Sequence, residues 1–207
     1  RAAQQAGPQL RDDCQRPGAD ARMPAMQTMT FRDATEDDIP VLVDLVTSAY
    51  RGDSSRAGWT TEADLLTGNR IDIEVLRRDL TRDGSRVVLA YRDGTLAACA
   101  HIAIEEGAGY FGMFAVAPGQ QGGGIGNAVL EECERYAREE WRLATMRMMV
   151  IDLRHELIAW YERRGYRRTG IHKPFPYGDA RFGEPQRDDL RFEVLEKPLV
   201  QDAVAPA

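Results

Sequence analysis

From residue 28 to residue 199 the apolar positions switch repeatedly between a period of two and a period near 3.6, the signatures of strand and helix. TMTFRDA (28–34) is expected as a short strand. In TEDDIPVLVDLVTSAYRG (35–52), Ile39, Leu42, Val43, Val46 and Tyr50 share one helical face, which predicts a helix packed on a core. Thr35 is a good N-cap, acidic residues crowd the first turn, and Gly52 closes the helix. SSRAGWTTEADLLTGNR (54–70) reads as a loop followed by a short helix, and IDIEVLRRDL (71–80) as another helix. RVVLAYRDGTLAACAHIAIE (86–105) is two strands joined at Asp93-Gly94, a dipeptide that accepts the positive φ of a tight hairpin. GYFGMFAVA (109–117) is a further strand, IGNAVLEECERYAREEW (125–141) a long helix, and TMRMMVID (145–152) a buried strand. HELIAWYERRG (155–165) is a helix ended by Gly165, and YRRTGI (166–171) a strand. A loop rich in Pro, Gly and aromatics, KPFPYGDARFGEP (173–185), leads to a last strand, LRFEVLEKPL (190–199).

The order β-α-α-β-β-β-α-β-α-β-β makes a mixed α/β domain over 27–200, without internal repeats or a clean linker. Residues 1–26 and 201–207 lack periodicity and read as flexible tails, with Met23, Met26 and Met29 each usable as a start. At 207 residues the chain suits one domain with a sizeable core. Hydrophobic residues at 43% and charged residues at 29% are ordinary for a globular protein. The net charge of −6 argues against a nucleic-acid partner. No apolar run reaches membrane-span length, and no secretory leader pattern opens the chain. Cys14, Cys99 and Cys133 are far apart, fit no zinc spacing and suggest free thiols in a reducing, cytoplasmic setting. His101, His155 and His172 are dispersed, so no metal site is expected.

One stretch carries chemistry. In AVAPGQQGGGIG (115–126) a strand ends and a helix begins, so the amides of a helix N-terminus point out of a nearly bare backbone. A nucleoside-triphosphate loop needs lysine where Ile125 stands, although Gly119 and Gly124 have its glycine spacing. A dinucleotide fingerprint starting at Gly122 needs glycine where Asn127 stands, and a hairpin precedes it instead of an opening βαβ unit. The pattern (Gln/Arg)-x-x-Gly-x-(Gly/Ala) is met by Gln121, Gly124 and Gly126.

With that pattern the chain resembles the GNAT superfamily of acyl-CoA N-acyltransferases. AWYERRGYRRTG (159–170) is similar to the family's second signature, and order and element types agree across about 28–199. The resemblance implies a GNAT fold, a central mixed twisted sheet of six to seven strands, flanked by about four helices and split at its fourth and fifth strands. It implies acetyl-CoA as donor, with backbone groups of Phe114, Ala115 and Val116 on the pantetheine. Gln121, Gly122, Gly123, Gly124, Ile125, Gly126 and Asn127 would hold the pyrophosphate. The reaction implied is direct attack of a primary amine, of a small molecule or a protein, on the thioester. A fourth-strand amide would polarise the carbonyl, and Tyr161 matches the position of the acid at the leaving sulfur, with core packing as its other reading.

The base is less determined. Where many members carry a fourth-strand glutamate, this chain has Gly112, Met113 and Phe114. His101 and Glu105 share a face of the third strand, Glu106 lies in the next turn, and Glu62 lies in the segment expected to shape the acceptor site with Trp59. Arg154 replaces an asparagine common in the family and reads equally as a cofactor or acidic-substrate contact and as a surface cation. Phe175, Tyr177 and Phe182 either form an apolar lid over the acceptor or pack the final hairpin. The acidic balance mildly favours a cationic acceptor such as a polyamine, lysine or aminoglycoside. The rival reading is a non-catalytic acyl-CoA-binding or regulatory domain, and the helix faces leave a homodimer open.

Overall fold

The computed structural model describes residues 28–51, 62–68, 70–179 and 183–199. The expected tails, Gly52, Trp59 and Phe182 lie outside these residues.

β1 (Met29–Asp33) leads through a short turn into α1 (Ile39–Tyr50). The Asp38 carboxylate accepts the Thr35 N–H at 2.8 Å and both arms of Arg32 at 2.7 Å, which fixes the helix entry. α1 buries Ile39, Leu42, Leu45, Val46, Ala49 and Tyr50. Of the short helix expected within 54–70, residues 62–68 instead form a turn and the two-residue strand β2 (Leu66–Thr67). Ala63, Leu65 and Leu66 are the apolar residues there, too short a run to repay helix nucleation, and Leu66 is drawn into a small cluster with Ile151, Phe175 and Leu190. α2 (Ile73–Thr81) is capped by Asp72, whose carboxylate accepts the N–H groups of Glu74 and Val75 at 2.9 and 3.0 Å.

β3 (Ser85–Arg92) and β4 (Thr95–Glu105) meet at the expected turn, where Asp93 and Gly94 have φ of 49° and 78°. Glu106 and Gly107 make an equivalent turn into β5 (Ala108–Val116). There follow α3 (Ile125–Glu139), β6 (Thr145–Ile151), α4 (His155–Glu162) and β7 (Arg167–Pro174). β8 (Glu184–Pro185) pairs with β2, and β9 (Arg191–Pro198) closes the fold.

The main sheet has seven strands in the order β1-β3-β4-β5-β6-β9-β7. Its β5–β6 pair is parallel and the others are antiparallel. β9 slots between β6 and β7. Both faces of β3 and β4 are covered: Val88 and Ala100 face α3, while Val87, Leu89 and Cys99 face α1 and α2. That double burial explains the continuous apolar run at 96–104, where one solvated face would have left alternation.

β5 and β6 pair only at Gly109–Met146 and Tyr110–Arg147. A Cβ on Gly109 would lie 2.9 Å from the Met146 sulfur, so glycine allows this close approach. Beyond it the strands part. The register of β5 against β4 shifts between Cys99 and His101, and Met113 sits there with φ of 44°. An extra residue of this kind bends and twists a strand, which turns β5 away from β6.

Candidate active site

Where β5 and β6 separate, a cavity of about 450 Å³ opens between the end of α1, β5, the N-terminus of α3 and α4. Gly122, Gly123 and Gly124 follow one another with φ of 88°, 57° and 82°, a left-handed run that side chains resist. A Cβ at Gly122 or Gly124 would meet nothing within 4 Å, so the space above the loop is open to a ligand. Gly123 stands aside: its carbonyl accepts from Arg92 Nη2 at 3.0 Å, and a side chain there would collide with that guanidinium. Ile125 points into the core, whereas Gln121, Gly126 and Asn127 line the cavity. Gly126 serves packing, since a Cβ would lie 3.2 Å from Phe114 and 3.4 Å from Trp160. Asn127 is held by Arg164, which donates to it at 2.9 Å while lying 3.5 Å over the Trp160 ring. Arg163 and Arg164 face the same cavity as the glycines, so cations and helix amides together favour an anion.

Phe114, Ala115 and Val116 line the other wall, on the edge of β5 that β6 has left. Tyr50, missed at the level of sequence, donates its hydroxyl to the Phe114 carbonyl. Its position on the apolar stripe of α1 is indistinguishable from that of a core residue, so no sequence signal marks it.

A second cavity of about 370 Å³ adjoins the first. Tyr50, Phe114, Arg154, Leu157 and Tyr161 line both. Tyr161 is buried, its ring against Phe111, Trp160 and Tyr166, and its hydroxyl has no hydrogen-bond partner among the described residues. Burial raises its pKa well above the usual phenol value, so it keeps its proton at any physiological pH. Tyr161 is packed in the core and also lines both cavities.

The candidate bases are not brought together. Glu105 is exposed at the end of β4, 3.5 Å from Arg82, and lines neither cavity. Glu106 occupies the exposed turn. His101 is buried and lines the second cavity. Its Nε2 is 2.9 Å from Ser85 Oγ, whose own proton is directed to the Asp79 carbonyl at 2.6 Å, which assigns the imidazole proton to Nε2. Nδ1 faces the Asp79 carboxylate at 3.8 Å. Burial holds the His101 pKa below 6.5, against the pull of Asp79.

Glu62 is buried among three arginines: Arg154 at 2.8 Å, Arg51 at 3.0 Å and Arg70 at 3.2 Å. Burial opposes its ionisation, but Arg70, Arg154 and Arg51 prevail and hold the carboxyl below its usual value. Arg154 is therefore an internal cation. Phe175 is buried against Tyr177 and Phe192 and also lines the second cavity, so it packs the final hairpin and walls that cavity at once. Among the described residues no group of His, Cys, Asp and Glu could hold a metal ion, and no helix is long and apolar enough to cross a membrane.

Residues 44–166 match the model of the acetyltransferase (GNAT) family. The ribosomal-protein-S18-alanine N-acetyltransferase of Escherichia coli superposes with a TM-score of 0.62 at 16% identity, over 87% of this chain and 99% of that one. The ribosomal-protein-alanine N-acetyltransferase of Brucella melitensis gives 0.60 at 23% identity, covering 82% and 99%. A mutant spermidine N-acetyltransferase of Vibrio cholerae gives 0.59 at 12% identity, covering 83% and 94%. At these identities the structural likeness is one of fold. No curated protein matches the chain by sequence.

Proposed function

The chain belongs to the acetyltransferase (GNAT) family of acyltransferases, and on that premise we propose that it transfers an acetyl group from acetyl-CoA to a primary amine in a ternary complex. One observation carries this reading: the left-handed glycine loop, the vacated edge of β5 and Tyr161 all line one cavity. In the proposal, the free edge of Phe114–Val116 receives the pantetheine amides as a further strand would. The α3 N-terminus, helped by Arg163 and Arg164, takes the pyrophosphate.

The amine enters by the second cavity and attacks the thioester carbon. The N–C bond forms as the C–S bond breaks. A β5 amide stabilises the oxyanion. Tyr161 gives its proton to the leaving sulfur and recovers one from solvent. The proton shed by nitrogen leaves through solvent to His101, the candidate base that is both neutral and exposed to the acceptor cavity. Glu62 cannot serve, since its arginines keep it a weak base.

Tyr161→Phe tests the reading. Acetyl-CoA binding should persist in calorimetry while thiol release falls about 10²-fold or more, the range for a general acid. Unchanged transfer would remove Tyr161 from the chemistry. CoA binding with no transfer to any amine of a broad library would favour a non-catalytic acyl-CoA-binding domain.

A further inference from the structure

We propose that the acceptor is a small amine that also carries a carboxylate, as an α-amino acid does, with Arg70 as the residue that receives it; this rests on the transferase reading above. The overall charge of −6 is misleading about this cavity. Among the described residues around Glu62, three guanidiniums meet one carboxylate, an excess of two positive charges beside Tyr50. Arg51 and Arg154 are almost fully buried, with side chains 7% exposed, and act as the fixed background of that charge.

Arg70 differs from both. Its side chain is 27% exposed against their 7%, its Nε lies 3.2 Å from a Glu62 oxygen, and like Arg154 it lines the second cavity. Its guanidinium lies 4.5 Å from the centroid of the Tyr50 ring, and Tyr50 in turn bonds the Phe114 carbonyl at the thioester end. One tyrosine thus separates Arg70 from the edge of β5. That spacing suits a compact molecule whose amine and carboxylate are close together. A planar guanidinium offers a carboxylate two parallel N–H donors, which an ammonium cannot.

Among the described residues the cavity's other carboxylates, Asp72 and Asp79, form no ion pair with these three arginines. Asp72 is engaged as the cap of α2, and Asp79 faces Arg82 at 3.4 Å and His101 at 3.8 Å. Arg78 adds a further cation to the lining. Met113, Met148 and Phe175 supply an apolar wall for the remainder of the molecule.

The experiment follows thiol release with matched pairs: L-leucine, L-methionine and L-phenylalanine, each beside its α-carboxamide. Spermidine and a hexapeptide with a free N-terminus are further arms. The amides are the less basic amines and are more deprotonated at neutral pH, so a preference for the acids cannot come from the nucleophile. The acid of at least one pair should exceed its amide by about 30-fold or more in kcat/KM, the worth of a charge-assisted hydrogen bond. In Arg70→Gln that ratio should collapse toward unity, with Arg70→Lys between, while CoA binding and melting temperature report that the fold persists. The wild-type ratios stand alone should Arg70→Gln fail to fold. Preference for an amide, for spermidine or for the peptide overturns the anionic acceptor and leaves the transferase reading intact. CoA binding without transfer to any amine overturns both.

Discussion

Burial keeps His101 neutral, and this has a pH signature. Its folded-state pKa lies below the 6.5 expected of the unfolded chain, with Asp79 pulling it up and Arg82 down. Below pH 6.5 the unfolded state therefore binds a proton that the folded state resists, so stability falls as pH drops through that value and is unaffected above it. Urea midpoints between pH 7.5 and 5.5 should fall in the wild type and fall less in His101→Gln. If His101 is the base, the acid limb of kcat/KM has its midpoint below 6.5; a midpoint above it excludes this role. The residue scale is where sequence reading was weakest. His101 and Glu105 share a strand face in any register, yet strand length carries Glu105 past the cavity into solvent.

At the scale of elements, the N-terminus of α3 was legible because its chemistry is local. A strand end, three consecutive glycines and a helix start are set by a dozen adjacent residues. Two glycines there should answer differently. Gly124→Val faces open space but has a φ of 82°, so it should cost about 1–2 kcal/mol and weaken acetyl-CoA binding by calorimetry far more than it lowers melting. Gly126→Leu would press on Phe114 and Trp160 and should cost about 1–3 kcal/mol by overpacking, lowering melting and binding together. Unchanged affinity in Gly124→Val would detach the loop from the cofactor. The β5 bulge was not legible, since Met113 carries a backbone conformation that its residue type does not announce.

For the whole molecule, the Glu62 cluster ties together four segments: the end of α1, the segment before β2, the connection from β2 to α2, and the β6–α4 junction. Glu62→Gln would strand two buried cations and the partly exposed Arg70, and removing one partner of such a set costs about 3 kcal/mol or more. Chemical denaturation should register this at pH 7. Because the Glu62 pKa is lowered, the contribution is present above the unfolded value of 4.5 and is lost as pH falls through the folded one. The difference between wild type and Glu62→Gln should therefore shrink in acid; a constant difference would mean that the carboxylate's charge is not what stabilises the cluster.

The order of the principal elements and the glycine loop follow from the sequence alone, because period, capping and turn chemistry act between near neighbours. Tertiary structure decided what lies far apart in the chain. It slots β9 between β6 and β7, parts β5 from β6, and gathers Arg51, Arg70 and Arg154 around Glu62. Nothing in the sequence around any of these arginines marks it, since a surface cation and a buried one have the same side chain. Net charge averages over the whole surface, whereas a cavity responds only to the groups that the fold brings within a few ångströms of it.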